Sequence, residues 1–224
     1  MTYKEYIKLY KKNEHPASTI FHKYISKNLA KFLVYFSLKL DITPNKLSVF
    51  STLCLLLAGY SLIKLDLFWL FILLTQISYG LDCSDGVVAR ITNQKSVFGK
   101  FLDIALDRIN MLIFYSSIIL YYLETNSLNI NNLWIIIIGF VFYYLYSLLA
   151  MIRGLVYSTK RGQGAKKSNI LIRINYEFID SGIYMFLIGV SLYFDVLHIL
   201  SLYYISISLL FIFGVFYKSY KDGR

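Results

Sequence analysis

Charge is scarce in this chain: of its 224 residues, 16% are Asp, Glu, Lys or Arg, where a soluble domain of this length carries about 25%. That shortage excludes an ordinary water-exposed surface. Proline is almost missing, with two residues, so there is no room for a Pro-rich linker and the length fits one domain. Cysteine is as rare. Cys54 and Cys83 both fall in apolar stretches without metal-ligand spacing, and they read as free thiols acting as small hydrophobes. A cleavable signal peptide is not expected, because the first residues are a long Lys-rich polar stretch and not a short basic region followed by an apolar core.

What fills the space is apolar. Hydrophobic residues make up 57% of the chain and the mean hydropathy is +0.56. A membrane-spanning helix needs about 20 mostly apolar residues. Six segments meet or approach that need, at 47–64, 67–88, 101–123, 133–157, 177–194 and 196–217. The fold expected is an all-α integral membrane bundle of six spans, forming one domain over 47–217 with a short tail at 218–224. Tyrosines such as Tyr121, Tyr122, Tyr143, Tyr144, Tyr203 and Tyr204 sit either in interfacial belts or between helices.

The net charge of +10 does not indicate a nucleic-acid partner, because the basic residues lie between apolar spans and not along one soluble face. Nine lysines precede residue 47. Arg90, Lys95 and Lys100 follow the second span, five basic residues from Lys160 to Arg173 follow the fourth, and Lys218, Lys221 and Arg224 close the tail. The opposite loops are nearly free of Lys and Arg. The positive-inside rule therefore puts both termini in the cytoplasm, as an even number of spans also requires. Upstream of the first span, residues 18–40 repeat apolar side chains at three- and four-residue spacing with lysines on the other face. This is expected to be an amphipathic helix on the cytoplasmic membrane surface, the alternative being a helix packed on the bundle. Thr43-Pro44-Asn45 then breaks the pattern and starts the first span.

Four of the 13 acidic residues crowd into 26 positions: Asp82, Asp85, Asp103 and Asp107. Residues three or four apart share a helix face, so Asp82 and Asp85 point one way from the second span and Asp103 and Asp107 one way from the third. The short connection makes the two helices antiparallel neighbours, with the carboxylates facing each other just inside the membrane boundary. One such Asp at a helix centre costs about 2.5–3.5 kcal/mol on insertion scales. Arg90 and Arg108 cannot neutralise all four. Hard oxygen ligands in this number, with no histidine nearby, favour Mg²⁺, Mn²⁺ or Ca²⁺ over Zn²⁺. Gly86 and Ala89, on the same stripe, and Gly99, before the third span, allow either close ligand approach or tight helix packing. A divalent-cation transporter is the rival class, but the acids cluster at one face and leave no path across.

The run Asp82-Cys-Ser-Asp85-Gly86-Val-Val-Ala89-Arg90, then Gly99, Asp103 and Asp107, resembles the motif of the CDP-alcohol phosphotransferase family at all eight positions and every spacing. Thr43-Pro44-Asn45 resembles a further family feature, and six spans, cytosolic termini and an N-terminal surface helix also match. The resemblance implies metal-dependent transfer of a phosphoalcohol group from a CDP-alcohol donor to an alcohol, releasing CMP, in phospholipid synthesis. It implies that Asp82, Asp85 and Asp103 hold one or two ions, Mg²⁺ or Mn²⁺, with Asp107 as general base toward the acceptor hydroxyl. Asp82, Asp85, Gly86, Ala89, Arg90, Gly99 and Asn45 would form the donor site. Gly99 would shape the loop, and Arg90 would either brace the acids or touch donor phosphate.

Arg153, Lys160 and Arg173 are the acceptor-side candidates, Arg153 because it lies furthest inside a span. CDP-diacylglycerol is the favoured donor and a small polar alcohol or alcohol phosphate the acceptor. The alternative is CDP-inositol or another CDP-headgroup donor. Other expected partners are membrane lipids and, as one candidate, a second copy in a homodimer. The setting expected is a bacterial cytoplasmic membrane with the active site on the cytoplasmic side.

Overall fold

A computed structural model describes residues 3–14, 19–125, 129–156 and 181–222, and every regular element in them is helical. In chain order these are α1 (Tyr3–Asn13), a π-helical turn (His22–Ser26) running into α2 (Lys27–Lys39), α3 (Pro44–Leu65), α4 (Phe68–Ile91), α5 (Val97–Thr125), α6 (Ile130–Val156), α7 (Ser181–Tyr193) and α8 (Leu197–Asp222). The protein is all-α and membrane-integral in character. Pro44–Leu65, Val97–Thr125, Ile130–Ile152 and Leu197–Lys221 are long and apolar enough to cross a bilayer, and Ser181–Tyr193 is a shorter apolar helix.

The helix α4, expected as the second span, is 24 residues long, about 36 Å at 1.5 Å per residue. It is not among those four helices, and Thr75, Gln76, Ser78, Asp82, Asp85 and Arg90 interrupt its apolar run. Four of the six expected spans thus stand on length and apolarity, the fifth is a shorter apolar helix, and the second is the helix that carries two of the aspartates. Outward faces are apolar: Phe50, Leu53 and Leu57 on α3, and Leu210 and Phe213 on α8, are exposed, as a hydrocarbon surround permits.

The chain divides into two compact units. The first holds residues 1–121 and 176–190. In it α4 is the central helix. Phe71 stacks on Phe114 of α5 with ring centroids 5.6 Å apart, and Gln76 Nε2 donates to Gly182 O of α7 at 3.1 Å. Against its C-terminal half pack α1 and α2, around a core of Tyr6, Tyr10, Val34, Leu47, Leu81, Val87 and Val88. The approach of α2 is close: a Cβ on Gly80 would stand 2.7 Å from Leu29 Cδ2.

Residues Ala30, Val34 and Ser37 of α2 are buried, while Phe32, Phe36 and Leu40 remain exposed. The described part of the expected 18–40 helix, residues 19–40, therefore packs on the bundle by one face and keeps an apolar face free. The sequence reading did not foresee α1. Its Tyr6 and Tyr10 are fully buried, and rings of this size each take about 150–250 Å² out of solvent. Their hydroxyls donate to backbone carbonyls of α2, Tyr6 to Lys31 and Tyr10 to Lys27 at 3.3 Å. Burial pushes the Tyr10 phenol up to about 12, which keeps it a donor.

The second unit holds residues 122–175 and 191–224, with α6 packed along α8. Gly139 admits Ser201, whose backbone O would lie 3.2 Å from an added Cβ. Tyr143 and Tyr204 meet edge to face at 5.9 Å and both are fully buried. Of the two readings for the tyrosines, this pair sits between helices.

Candidate active site

The site is assembled by three helix ends. Thr43, in extended conformation, precedes Pro44 at the first turn of α3, where a missing N–H costs nothing. Asn45 and Ser48 follow one turn apart on one side of that helix. On α4, Asp82 and Asp85 share a face. The helix ends at Thr92, Asn93 takes the left-handed conformation at φ 55°, and Gln94 N–H bonds Ala89 O at 3.0 Å, a Schellman-type stop. Ser96 then caps α5 by accepting from Gly99 N–H at 2.8 Å. Gly99 is therefore part of the first turn of α5, not of the loop expected for it. A Cβ there would stand 3.0 Å from Ser96 Oγ and 3.2 Å from Asn45 Oδ1, so this glycine lets α3 and α5 close on each other.

Asp82, Asp85 and Asp103 each present a carboxylate oxygen, and the three oxygens lie within 4.8 Å of one another. Divalent ions bind oxygens at about 2.0–2.6 Å, so ligands of one ion stand no more than about 4–5 Å apart. The donor set fits such an ion in chemistry and spacing. Arg108 is near enough to Asp107 to offset part of its charge, which leaves the other three carboxylates to a cation. Asp85 is buried and accepts a hydrogen bond from Ser48 Oγ at 2.5 Å. Asp107 lies beside Asp82 in the wall of one small cavity.

The aspartates divide between two cavities. The larger, about 410 Å³, has Asp85 and Asp103 in its wall, with Gly86, Ala89 and Arg90 of α4, Asn45 and Ser48 of α3, and Lys95, Gly99 and Lys100 at the start of α5. The smaller, about 90 Å³, is bounded by Asp82, Asp107, Arg108 and Asn110, by Ser51 and Ser78, and by Ser181 and Met185 of α7. Below the acids a polar ladder ties the helices: Ser51 Oγ and Ser78 Oγ lie 3.1 Å apart, and Asn110 Nδ2 donates to Ser51 Oγ at 3.2 Å.

A profile described as CDP-alcohol phosphatidyltransferase matches residues 41–214. The chain belongs to the CDP-alcohol phosphatidyltransferase family. The family moves phosphate-containing groups from a CDP-alcohol to an alcohol in lipid synthesis, and it generally depends on divalent metal. The transporter alternative falls with that membership. The chain is similar to the archaetidylinositol phosphate synthase of Pyrococcus horikoshii, with 39% identity over 71 residues, 32% of this chain and 37% of that relative. The match spans little more than a third of the relative's length.

All seven residues expected at the donor site of a CDP-alcohol phosphatidyltransferase are brought together, six of them in the larger cavity and Asp82 beside it. Among the described residues Arg90 forms no salt bridge with the acids, although Asp85 is near enough to act on its charge. Its Nε donates to Asn13 O of α1 at 2.6 Å and the side chain lines the cavity. Lys160 and Arg173 lie outside the described residues, as does the side chain of Arg153 on α6.

Sequence reasoning missed Ser48, whose signal was its position one turn beyond Asn45. It also read Lys95 and Lys100 only as topology signals, whereas both line the cavity.

Proposed function

We propose that the protein transfers the phosphoalcohol group of a lipid-linked CDP donor to a phosphorylated polyol of the inositol phosphate kind, releasing CMP. The observation that carries this reading is the larger cavity, where Asp85 and Asp103 share one wall with Arg90, Lys95 and Lys100. Carboxylates for a cation and cationic groups for an anion in one space suit a pyrophosphate bridged to metal. The phosphorylated inositol acceptor is suggested by the product named for the Pyrococcus relative. That name also favours an ether-lipid donor over the CDP-diacylglycerol expected at first.

The residues divide the work. Asp82, Asp85 and Asp103 would hold one or two Mg²⁺ or Mn²⁺ ions, which when bound neutralise charge on the donor pyrophosphate as CMP departs. Ser48 orients Asp85. Gly86 and Ala89 leave room for the nucleotide against α4. Asp107, on the side of the smaller cavity, accepts the proton of the acceptor hydroxyl. The acceptor oxygen then bonds to the phosphorus that bears the alcohol, the bond from that phosphorus to the bridging oxygen breaks, and the electron pair leaves with CMP. Positioning and electrostatics suffice for this in-line displacement. Both termini and the site are read as cytoplasmic from the distribution of lysine and arginine.

The test is CMP release by purified protein with Mg²⁺, using CDP-diacylglycerol, its dialkyl ether counterpart and CDP-inositol as donors, against inositol phosphate, inositol, glycerol 3-phosphate and serine. Release with a lipid donor and inositol phosphate supports the reading. Release only with CDP-inositol reverses the donor assignment.

A further inference from the structure

The family match begins at residue 41, yet a residue of its motif is held by an element far upstream. Arg90 Nε donates to the backbone carbonyl of Asn13, the last residue of α1, at 2.6 Å. Helix-terminal carbonyls have no partner inside their own helix, and here a guanidinium supplies it. The Asn13 side chain turns back to Leu9 O at 2.9 Å, which leaves its own carbonyl facing Arg90. Among the described residues the guanidinium makes no other hydrogen bond. Its Nη1 and Nη2 lie over Gly86, 3.3 and 3.9 Å from where a Cβ would be, and Arg90 is part of the wall of the larger cavity. With Nε engaged, the two terminal nitrogens are left as a fork, the geometry that suits a phosphate.

Helix α1 is itself fixed. Tyr6 and Tyr10 are buried against α4 and α2 and bonded to the Lys31 and Lys27 carbonyls. On the proposed function as its basis, we infer that α1 is a positioning element for the donor site: through the Asn13 carbonyl it holds the Arg90 guanidinium over Gly86, aimed at the donor pyrophosphate. Arg90 touches the donor and α1 acts through Arg90. The consequence is specific. Loosening α1 lowers affinity for the CDP group and leaves turnover at saturating donor and the KM for the acceptor unchanged.

The experiment is a double-mutant cycle on CDP affinity, measured calorimetrically with Mg²⁺ so that no chemistry is required, together with donor and acceptor KM. The four proteins are the full chain, a truncation starting at residue 15, Arg90→Lys, and the two combined. Truncation and Arg90→Lys are each expected to weaken CDP by about 10-fold, with no further loss in the combination, because lysine has no Nε–H for the carbonyl to hold. Should the truncated protein not fold, Tyr6→Phe/Tyr10→Phe, which keeps α1 but removes its bonds to α2, runs through the same cycle with a loss of about 3-fold expected. Unchanged CDP affinity on loosening α1 overturns the inference while leaving the transferase reading intact. So does an equal loss on loosening α1 whether or not Arg90→Lys is present. Failure of the full chain to bind CDP overturns the donor-cavity reading and this inference with it.

Discussion

Ser48 and Asp85 stand 37 residues apart in sequence and meet through a 2.5 Å hydrogen bond from Ser48 Oγ to Asp85 Oδ2. Ser48 also reaches Pro44 O at 3.3 Å, so the hydroxyl is held at the first turn of α3 and fixes the direction of a buried carboxylate on α4. Removing it should leave the fold intact and loosen the acid. Ser48→Ala is expected to raise the Mg²⁺ concentration giving half-maximal activity by about 10-fold or more, as loss of outer-shell partners does at metal sites. A metal titration of initial rates checks this; an unchanged midpoint would remove Ser48 from the site.

The three-carboxylate cluster predicts a strict need for a hard divalent ion. Chelation should abolish CMP release, and Mg²⁺ or Mn²⁺ should restore it. Asp82→Asn, Asp85→Asn and Asp103→Asn should each shift the metal titration to higher concentration, because each supplies one of the oxygens lying within 4.8 Å of the other two. Activity that persists in chelator would contradict this.

Gly99 predicts a steric effect on the donor side alone. An added Cβ meets Ser96 Oγ at 3.0 Å and Asn45 Oδ1 at 3.2 Å, so Gly99→Val must part α3 from α5 or displace Asn45 from the cavity wall. Donor KM should rise by about 10-fold with acceptor KM unchanged, a misplacement effect of the size that small shifts near reacting groups produce. Steady-state kinetics with each substrate varied in turn decides the point.

At Gly80 the prediction concerns stability. A side chain there would stand 2.7 Å from Leu29 Cδ2 and 3.1 Å from Leu33 Cδ1, in the seam where α2 packs on α4. Gly80→Val should destabilise by about 1–3 kcal/mol through overpacking, read as a lower thermal midpoint in detergent. An unchanged midpoint would show that α2 is not held by this seam.

The four aspartates were legible because helical spacing alone puts Asp82 with Asp85 and Asp103 with Asp107, and because carboxylates at a membrane boundary demand a cation. The six-span pattern was less secure where function intrudes: α4 carries the polar residues of the site and so loses the apolarity that marks a span. Helix α1 escaped notice because its buried residues, Tyr6 and Tyr10, are interleaved with lysines, although Tyr3, Tyr6, Ile7 and Tyr10 do follow helical spacing. The Arg90–Asn13 contact runs to a backbone carbonyl, which any residue type offers, and no sequence pattern marks it. Lys95 and Lys100 obey the positive-inside rule and line the cavity as well, so one pattern hid the other. Gly99 is expected in a loop only because the third span reads as apolar from residue 101, whereas the Ser96 cap starts α5 at Val97.

The central claim, that this aspartate cluster performs CDP-alcohol transfer with Asp107 as base, is tested most directly by comparing the full chain with Asp107→Asn. Both are assayed for acceptor-dependent CMP release from a CDP-linked lipid in Mg²⁺. Release by the full chain, a fall of about 10²–10⁴-fold in the variant, and undiminished CDP binding by both is the result expected. Equal release by the two proteins, or none from any CDP donor, would contradict it.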